Sequence, residues 1–357
     1  MKVLHVDTAA TWRGGQNQVF LTALGQSGRG HDVAVACREG GVLEERLRRT
    51  GVRAHPVAFR GDLSPLAALS LARVLRSFHP DVVQLHDPHA ISAGLMAVRL
   101  QPGACVIGTR RVDFSLRSPL SRHKYRSCAR VIAVSHAIAS VLEQGGIPGE
   151  HVRVVYEGVP SRPPAPGGRE ALAALGVPEG APLVGNVAAL TEHKDHATFL
   201  DAMAKVALEV PEARAVIVGD GELRGTLEAR AAKLGVADRC VFAGFRTDVD
   251  VLLPAFTVFC LSSRTEGLGT SLLDAMNFSR PVVATSAGGI PEAVDDGVNG
   301  RIVPVGDSAA LADALVKLLR DEACRTAMGE AGRRRFEERF TVDRMVDDTL
   351  VVYGESL

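Results

Sequence analysis

Short, β-rich apolar runs alternate along the chain with longer segments that carry helical patterns. KVLHV is followed by QVFLTALGQSG, DVAVAC by VLEERLRRTG, VRAHPV by SPLAALSLARVLRSF, and DVVQLH by AISAGLMAVRL. Such alternation implies parallel strands joined by crossover helices, the doubly wound α/β arrangement. VIGTR and RVIAVS, the helix AIASVLEQGG and then RVVYEG complete a first domain of that class.

Between 160 and 170 the composition changes to PSRPPAPGGRE, whose prolines and glycines continue neither a helix nor a central strand. After this linker the rhythm restarts with PLVGNVAAL, a helix around 195 to 209, ARAVIVG, a helix around 222 to 234, CVFAG, VFCLSS, a helix around 270 to 277, PVVAT and GRIVP. Two Rossmann-like domains are predicted, at 1–162 and 170–335, and the helical segment 336–357 is expected to pack back on the first. Sheets of this kind bind ligands at the carboxyl ends of their strands, so the chemistry is expected in a cleft between the domains.

A length of 357 residues, against the roughly 150 of a common domain, agrees with two domains. The 41 basic and 41 acidic residues cancel, so no global charge favours nucleic acid and none is expected as a partner. Cys37, Cys105, Cys128, Cys240, Cys260 and Cys324 form no CxxC pair, and most lie in apolar runs. They read as buried, reduced thiols in a cytoplasmic protein. MKVLHVD enters a strand pattern at once, without the apolar region of a signal peptide. No run approaches the roughly 18 apolar residues of a spanning helix, so any membrane contact is expected to be peripheral, at the inner face.

The stretch SSRTEGLGTSLLDAM, at 262–276, concentrates candidate chemistry. VFCLSS ends a strand, and LLDAM begins a helix that Thr270 or Ser271 is placed to cap. Gly267 and Gly269 fall at the strand-to-helix turn, where backbone amides and the helix dipole form an anion site. Glu266 is placed to accept from sugar hydroxyls, and Asp274, about one turn into the helix, from the two hydroxyls of a ribose. The order fits a nucleotide sugar laid along one loop; the plain alternative is a glycine-rich turn with a solvated glutamate.

E-G-L-G-T-S-L-L-D-A-M resembles the E-x7-E signature of the retaining family 4 glycosyltransferases, whose GT-B fold has two facing Rossmann-like domains. The resemblance extends through Gly14-Gly15, GHDV, DVVQLHDPH, VIAVSHAI, VVYEGV, TEHKD, VIVGDGEL, VFAGFRTDV, RPVVATSAGGIPEAV and DGVNGRIVP, in that order. It implies that Glu266 binds a donor-sugar hydroxyl, that the amides of Gly267, Leu268, Gly269 and Thr270 hold the diphosphate, and that Asp274 holds the ribose where the signature usually has glutamate. Lys194 matches the lysine that neutralises the diphosphate leaving group. The arginine usual five residues earlier is Ala189 here, with Arg264, Arg246 and Arg111 as candidate substitutes. Gly14 and Gly15, at the first strand-to-helix turn, would face the donor phosphates.

The family's N-domain histidine after VIGT is absent, and the segment reads TRRVDFSLR. Arg110 and Arg111 suggest an anionic acceptor group or the missing diphosphate cation, with Asp113 orienting one of them, against the alternative of a surface ion pair. Gln16 is a candidate contact to either substrate, and Trp12 is either a packed side chain or a loop tip. His86 and His89 of HDPH are placed near the acceptor; with no helical face of ligands and no third partner, no metal is expected. Phe245 and Arg246 are candidates for base contact, and GDGELRG, lacking G-x-G-x-x-G spacing, for a turn beside the nucleotide. The run Arg117, Arg122, Lys124, Arg126 and Arg130 reads either as a solvated helix face or as a contact for anionic lipid headgroups or a lipid-linked acceptor.

The expected function is metal-independent transfer of a sugar, with retention, from a nucleoside diphosphate sugar to an acceptor hydroxyl in envelope glycan, glycolipid or polysaccharide synthesis. No cofactor is expected beyond the nucleotide-sugar co-substrate. A non-hydrolysing nucleotide-sugar epimerase and a non-catalytic nucleotide-sugar-binding protein are the alternatives.

Overall fold

The computed structural model describes residues 1–59, 65–116 and 118–357. They form two compact units, Met1–Gly158 with Val342–Leu357, and Val159–Thr341. The first contains seven parallel strands: β1 (Lys2–Val6), β2 (Asp32–Arg38), β3 (Arg53–Val57), β4 (Val82–Leu85), β5 (Cys105–Arg110), β6 (Arg130–Ala133) and β7 (Val152–Val154), in the order β3-β2-β1-β4-β5-β6-β7. The second contains β8 (Leu183–Val187), β9 (Arg214–Val218), β10 (Cys240–Gly244), β11 (Val258–Leu261), β12 (Val282–Thr285) and β13 (Gly300–Val303), in the order β10-β9-β8-β11-β12-β13. Each order reverses beside its first strand, between β1 and β4 or between β8 and β11. Connections on the two sides of that point diverge, which leaves a crevice at the carboxyl ends of the strands.

The central strands are mostly apolar because helices cover both faces of a parallel sheet; β4, β11 and β12 are buried throughout. The helix Gly14–Gly28 is different, since it buries Gln16, Gln18, Thr22 and Gln26 beside Val19 and Ala23. The helix Val342–Gly354 packs Met345, Val346, Val352 and Tyr353 against Val3, Val82, Ile107 and Ile132 of the first unit. Gly25 permits that approach, because a β-carbon there would lie 2.6 Å from Val346 Cγ2. Arg29 adds ion pairs to Asp343 at 3.0 Å and Asp347 at 2.8 Å. The preceding helix, Glu322–Arg339, belongs to the second unit, so the two terminal helices divide between the units. Among the described residues no helix is long and apolar enough to cross a membrane.

Candidate functional site

In the second unit the loops after β8 and β11 meet at the reversal point. The chain leaves β8, makes a short 3₁₀ turn at Glu192–Lys194, and enters the helix His196–Glu209 through Asp195 at φ 47°. Aspartate tolerates this left-handed conformation because its carboxylate bonds locally. Here it accepts from Thr198 N–H at 3.3 Å and Thr198 Oγ1 at 2.8 Å. Ser262 Oγ donates to the Lys194 and Asp195 carbonyls, both at 3.0 Å, and Arg264 N–H donates to the His193 carbonyl at 2.8 Å. With the loops so joined, Lys194 Nζ forms an ion pair with Glu266 Oε1, to which Ser263 Oγ also donates at 3.0 Å. The two charged side chains are 19% and 10% exposed, so their attraction is far less screened than that of a surface pair.

The glycines define the rest of this loop. Gly269, at φ 88°, is the cap of the helix Thr270–Asn277, and having no side chain it makes no side-chain capping bond there. Thr270 and Ser271 are therefore the first helical residues and not caps: the backbone must turn left-handed before them, which glycine does without steric cost. First-turn amides without a side-chain acceptor suit an anion. Gly288, at φ 49°, passes so close that a β-carbon would overlap the Glu266 carbonyl, which accepts from Gly289 N–H at 3.3 Å. Gly219 of GDGEL similarly passes against the Ala188 carbonyl, which sets that turn beside the Lys194 loop. Beneath it, Asn186 Nδ2 donates to the Cys260 carbonyl and Oδ1 pairs with His196 Nε2, both at 2.9 Å. Burial, reinforced by Lys194, lowers His196 to about 4, so this brace is a neutral imidazole.

Asp274 is half-buried one turn into the same helix. Burial pushes its carboxyl up to about 7, with Arg162 opposing and Asp250 reinforcing the shift. All three cations named as substitutes for an arginine at 189 are already paired: Arg264 with Asp195 at 3.0 Å, Arg246 with Asp248 at 2.6 Å and Arg111 with Glu157 at 2.9 Å. Phe245 is exposed on the loop after β10, at the edge of the sheet.

In the first unit Arg111 occupies the reversal point. Its Nε donates to Glu157 Oε1 at 2.9 Å, Nη1 to the His86 carbonyl at 3.2 Å and Nη2 to His86 Nδ1 at 3.2 Å. Its Cδ lies 3.8 Å from where a Gly15 β-carbon would stand, beside the uncapped start of the helix that Gly14 opens. Arg111 is thus oriented by Glu157 of VVYEGV, while Asp113 sits half-buried in the following loop. Arg110 turns inward instead, bonding Tyr125 Oη at 3.2 Å and the Phe114 carbonyl, and braces that loop. Gln16 donates to Asp7 at 3.0 and 3.3 Å; burial and then the charge of Asp87 push Asp7 up to about 6. Asp87 of HDPH caps the helix Pro88–Leu100, accepting from His89 and Ala90 N–H, and His89 is exposed on its first turn. Trp12 is packed, edge-to-face on Phe20 with the Arg46 guanidinium 3.9 Å from its ring centroid. Of the basic run, Arg117 lies outside the described residues, Arg122, Lys124 and Arg126 ride the helix Pro119–Arg126, and Arg130 opens β6.

His86 is buried rather than set at an acceptor edge, and it begins a hydrogen-bonded chain that sequence patterning does not mark. His86 Nε2 meets His5 Nδ1 at 2.8 Å, and His5 Nε2 meets Gln26 Oε1 at 2.9 Å. Gln26 Nε2 donates to Tyr353 Oη at 3.3 Å, Tyr353 Oη to Gln84 Oε1 at 2.5 Å, and Gln84 Nε2 to Thr109 Oγ1 at 2.9 Å. An amide oxygen only accepts, so His5 carries its proton on Nε2 and accepts on Nδ1; His86 then donates from Nε2 and accepts from Arg111. Every donor points from Arg111 towards Thr109. Burial lowers His5 to about 4 and His86 well below its usual value, and Arg111 acts in the same direction on both.

Two family models cover most of the chain, glycosyltransferase family 4 over 12–162 and glycosyl transferases group 1 over 169–335. The chain is 29% identical over 301 residues to N-acetyl-alpha-D-glucosaminyl L-malate synthase of Bacillus anthracis, a match spanning 81% of this chain and 78% of that protein. It is 28% identical over 318 residues to 2-deoxystreptamine glucosyltransferase of Streptomyces kanamyceticus, spanning 82% and 81%. Among solved structures, HepE of Anabaena in complex with UDP and glucose has a TM-score of 0.85 at 24% identity, covering 100% of both chains.

Proposed function

The chain belongs to the group 1 glycosyltransferases and has the GT-B fold, and from that premise we propose that it is a retaining, metal-independent enzyme using a nucleoside diphosphate sugar. The contact of Lys194 with Glu266 at the reversal point of the second sheet carries this reading. As the bond from the anomeric carbon to the diphosphate breaks, its electron pair leaves with the phosphate oxygen. Lys194 Nζ and the backbone amides of the loop and helix start, Gly267 to Thr270, stabilise that charge. The acceptor oxygen bonds to the anomeric carbon on the same face, and its proton passes to the leaving phosphate. Glu266 accepts from a hydroxyl of the donor sugar, Asp274 from the ribose, and the backbone at Phe245 and Arg246 meets the base.

On the first unit, Arg111 spends three of its five N–H groups on Glu157 and His86. Its two remaining N–H groups favour an acceptor with an anionic group; the malate in the name of the Bacillus anthracis relative is an acceptor chemistry of that kind. Leu120 is exposed on the helix that carries Arg122 and Arg126, and Phe114 is exposed in the loop before it, which supports contact with an anionic membrane surface at its cytoplasmic face, where envelope glycans and glycolipids are built.

Calorimetric titration with UDP, GDP and ADP, each with and without a chelator, tests the donor site. One diphosphate should bind equally well with chelator present and lose its binding in Lys194→Ala. No binding of any of the three, or undiminished binding in that variant, overturns the reading.

A further inference from the structure

At the end of the second sheet opposite Lys194 and Glu266, a cavity of about 520 Å³ opens where the chain enters β11 and β12. Arg169, Arg280 and Arg325 line it from three separate segments. Each is anchored on one side by carbonyl oxygens. Arg169 Nη1 donates to Ala181 at 3.1 Å, Arg280 Nε and Nη1 to Phe278 at 3.0 Å and Phe256 at 3.1 Å, and Arg325 Nη1 to Leu318 and Leu319, both at 2.8 Å. Carbonyls orient a guanidinium without neutralising it. Glu170 and Glu322 line the same cavity, yet among the described residues no carboxylate forms an ion pair with any of the three arginines. Burial without a counter-charge lowers the Arg280 pKa.

Fixed guanidinium forks with unused donors form a receptor for oxyanions. Three forks arriving from different segments suit a tetrahedral phosphate, which accepts in several directions, better than a planar carboxylate. The volume falls within the range of small-molecule sites. We propose that this cavity is a second anion site, separate from the Lys194–Glu266 centre, that binds a phosphate-bearing small molecule. Arg280 and Arg325 set its position, and Arg169 closes its exposed side.

Pyrophosphate is the probe, titrated calorimetrically into the full chain at fixed ionic strength. In a Lys194→Ala background one saturable site should remain, and Arg169→Gln and Arg325→Gln should each weaken it roughly tenfold or more, the usual scale for losing a charge-assisted fork. Arg280→Gln should abolish it; because Arg280 also holds the Phe256 and Phe278 carbonyls, the other two variants carry the test if that one fails to fold. Absence of saturable binding in the Lys194→Ala background, or binding unchanged in both Arg169→Gln and Arg325→Gln, overturns the proposal. Binding that Lys194→Ala leaves whole and the arginine variants remove would refute the donor reading alone.

Discussion

The two units share a strand order through their first six strands and each leaves a crevice at the same reversal, yet they furnish it differently. In the second unit a cation and an anion touch at the strand ends, supported by hydroxyls and close glycine backbone. In the first, an arginine paired with Glu157 also stands at the head of a buried neutral chain whose donors all run one way. An ion pair can exchange partners when a diphosphate and a sugar hydroxyl arrive. Arg111 is held by three bonds at once, one to the Glu157 carboxylate and two to His86, whose ring is itself tied into the directed chain, so it is fixed in place. One topology thus serves an adaptable centre and a rigid one.

The contrast breaks most severely at the ion pair. Glu266→Ala should lower turnover by two to three orders of magnitude, about 3–4 kcal/mol of transition-state stabilisation, with unchanged circular dichroism. Turnover near wild type would remove Glu266 from the site. The next largest effect is expected at the glycine behind it: Gly288→Ala forces a β-carbon onto the Glu266 carbonyl and a residue with a side chain into left-handed backbone. A loss of about 2 kcal/mol or more should appear as faster amide exchange in β11 and β12, while β1 and β4 keep their protection.

Two pH experiments sharpen the comparison. Asp274, pushed up to about 7, must lose a proton to accept from two ribose hydroxyls. Affinity for the nucleotide sugar should therefore rise about tenfold from pH 6 to pH 8 and flatten in Asp274→Asn. The same slope in both proteins would exclude Asp274 as the ribose acid. His5, lowered to about 4 in the folded chain against 6.5 unfolded, acts on stability instead. Between those values the unfolded chain binds more protons, so stability rises with pH through the window and is lost as pH falls below 6.5. Exchange protection of β1 and β4 should drop by about 1.5 kcal/mol between pH 6.5 and pH 5, and by less in His5→Gln.

Much of the fold is legible because it is local. Apolar runs of strand length between helical patterns identify each element, and the prolines and glycines from 160 to 170 mark a break close to the unit boundary at Val159. Lys194 and Glu266 were recognisable because each lies within a short motif. The buried chain was not: His5 and Gln84 interrupt apolar strands singly, His86 follows the end of β4, Gln26 lies on a helix whose buried face is rich in glutamine, and Tyr353 is near the end of the chain. Arg110 and Arg111 were equivalent as neighbours in sequence, and only the strand's alternation sends one inward and the other to the site.

By itself the sequence determined the α/β class, the two repeats of strand and helix, and the residues of the loop at 262–276, because periodicity, turn chemistry and motif spacing are properties of neighbouring residues. Tertiary structure alone decided which charges meet, which glycine backs Glu266, and that β1 pairs with β4 so that His5 lies opposite Gln84 in register. Those relations depend on strand order and on the close packing of segments distant in sequence, which no local pattern encodes.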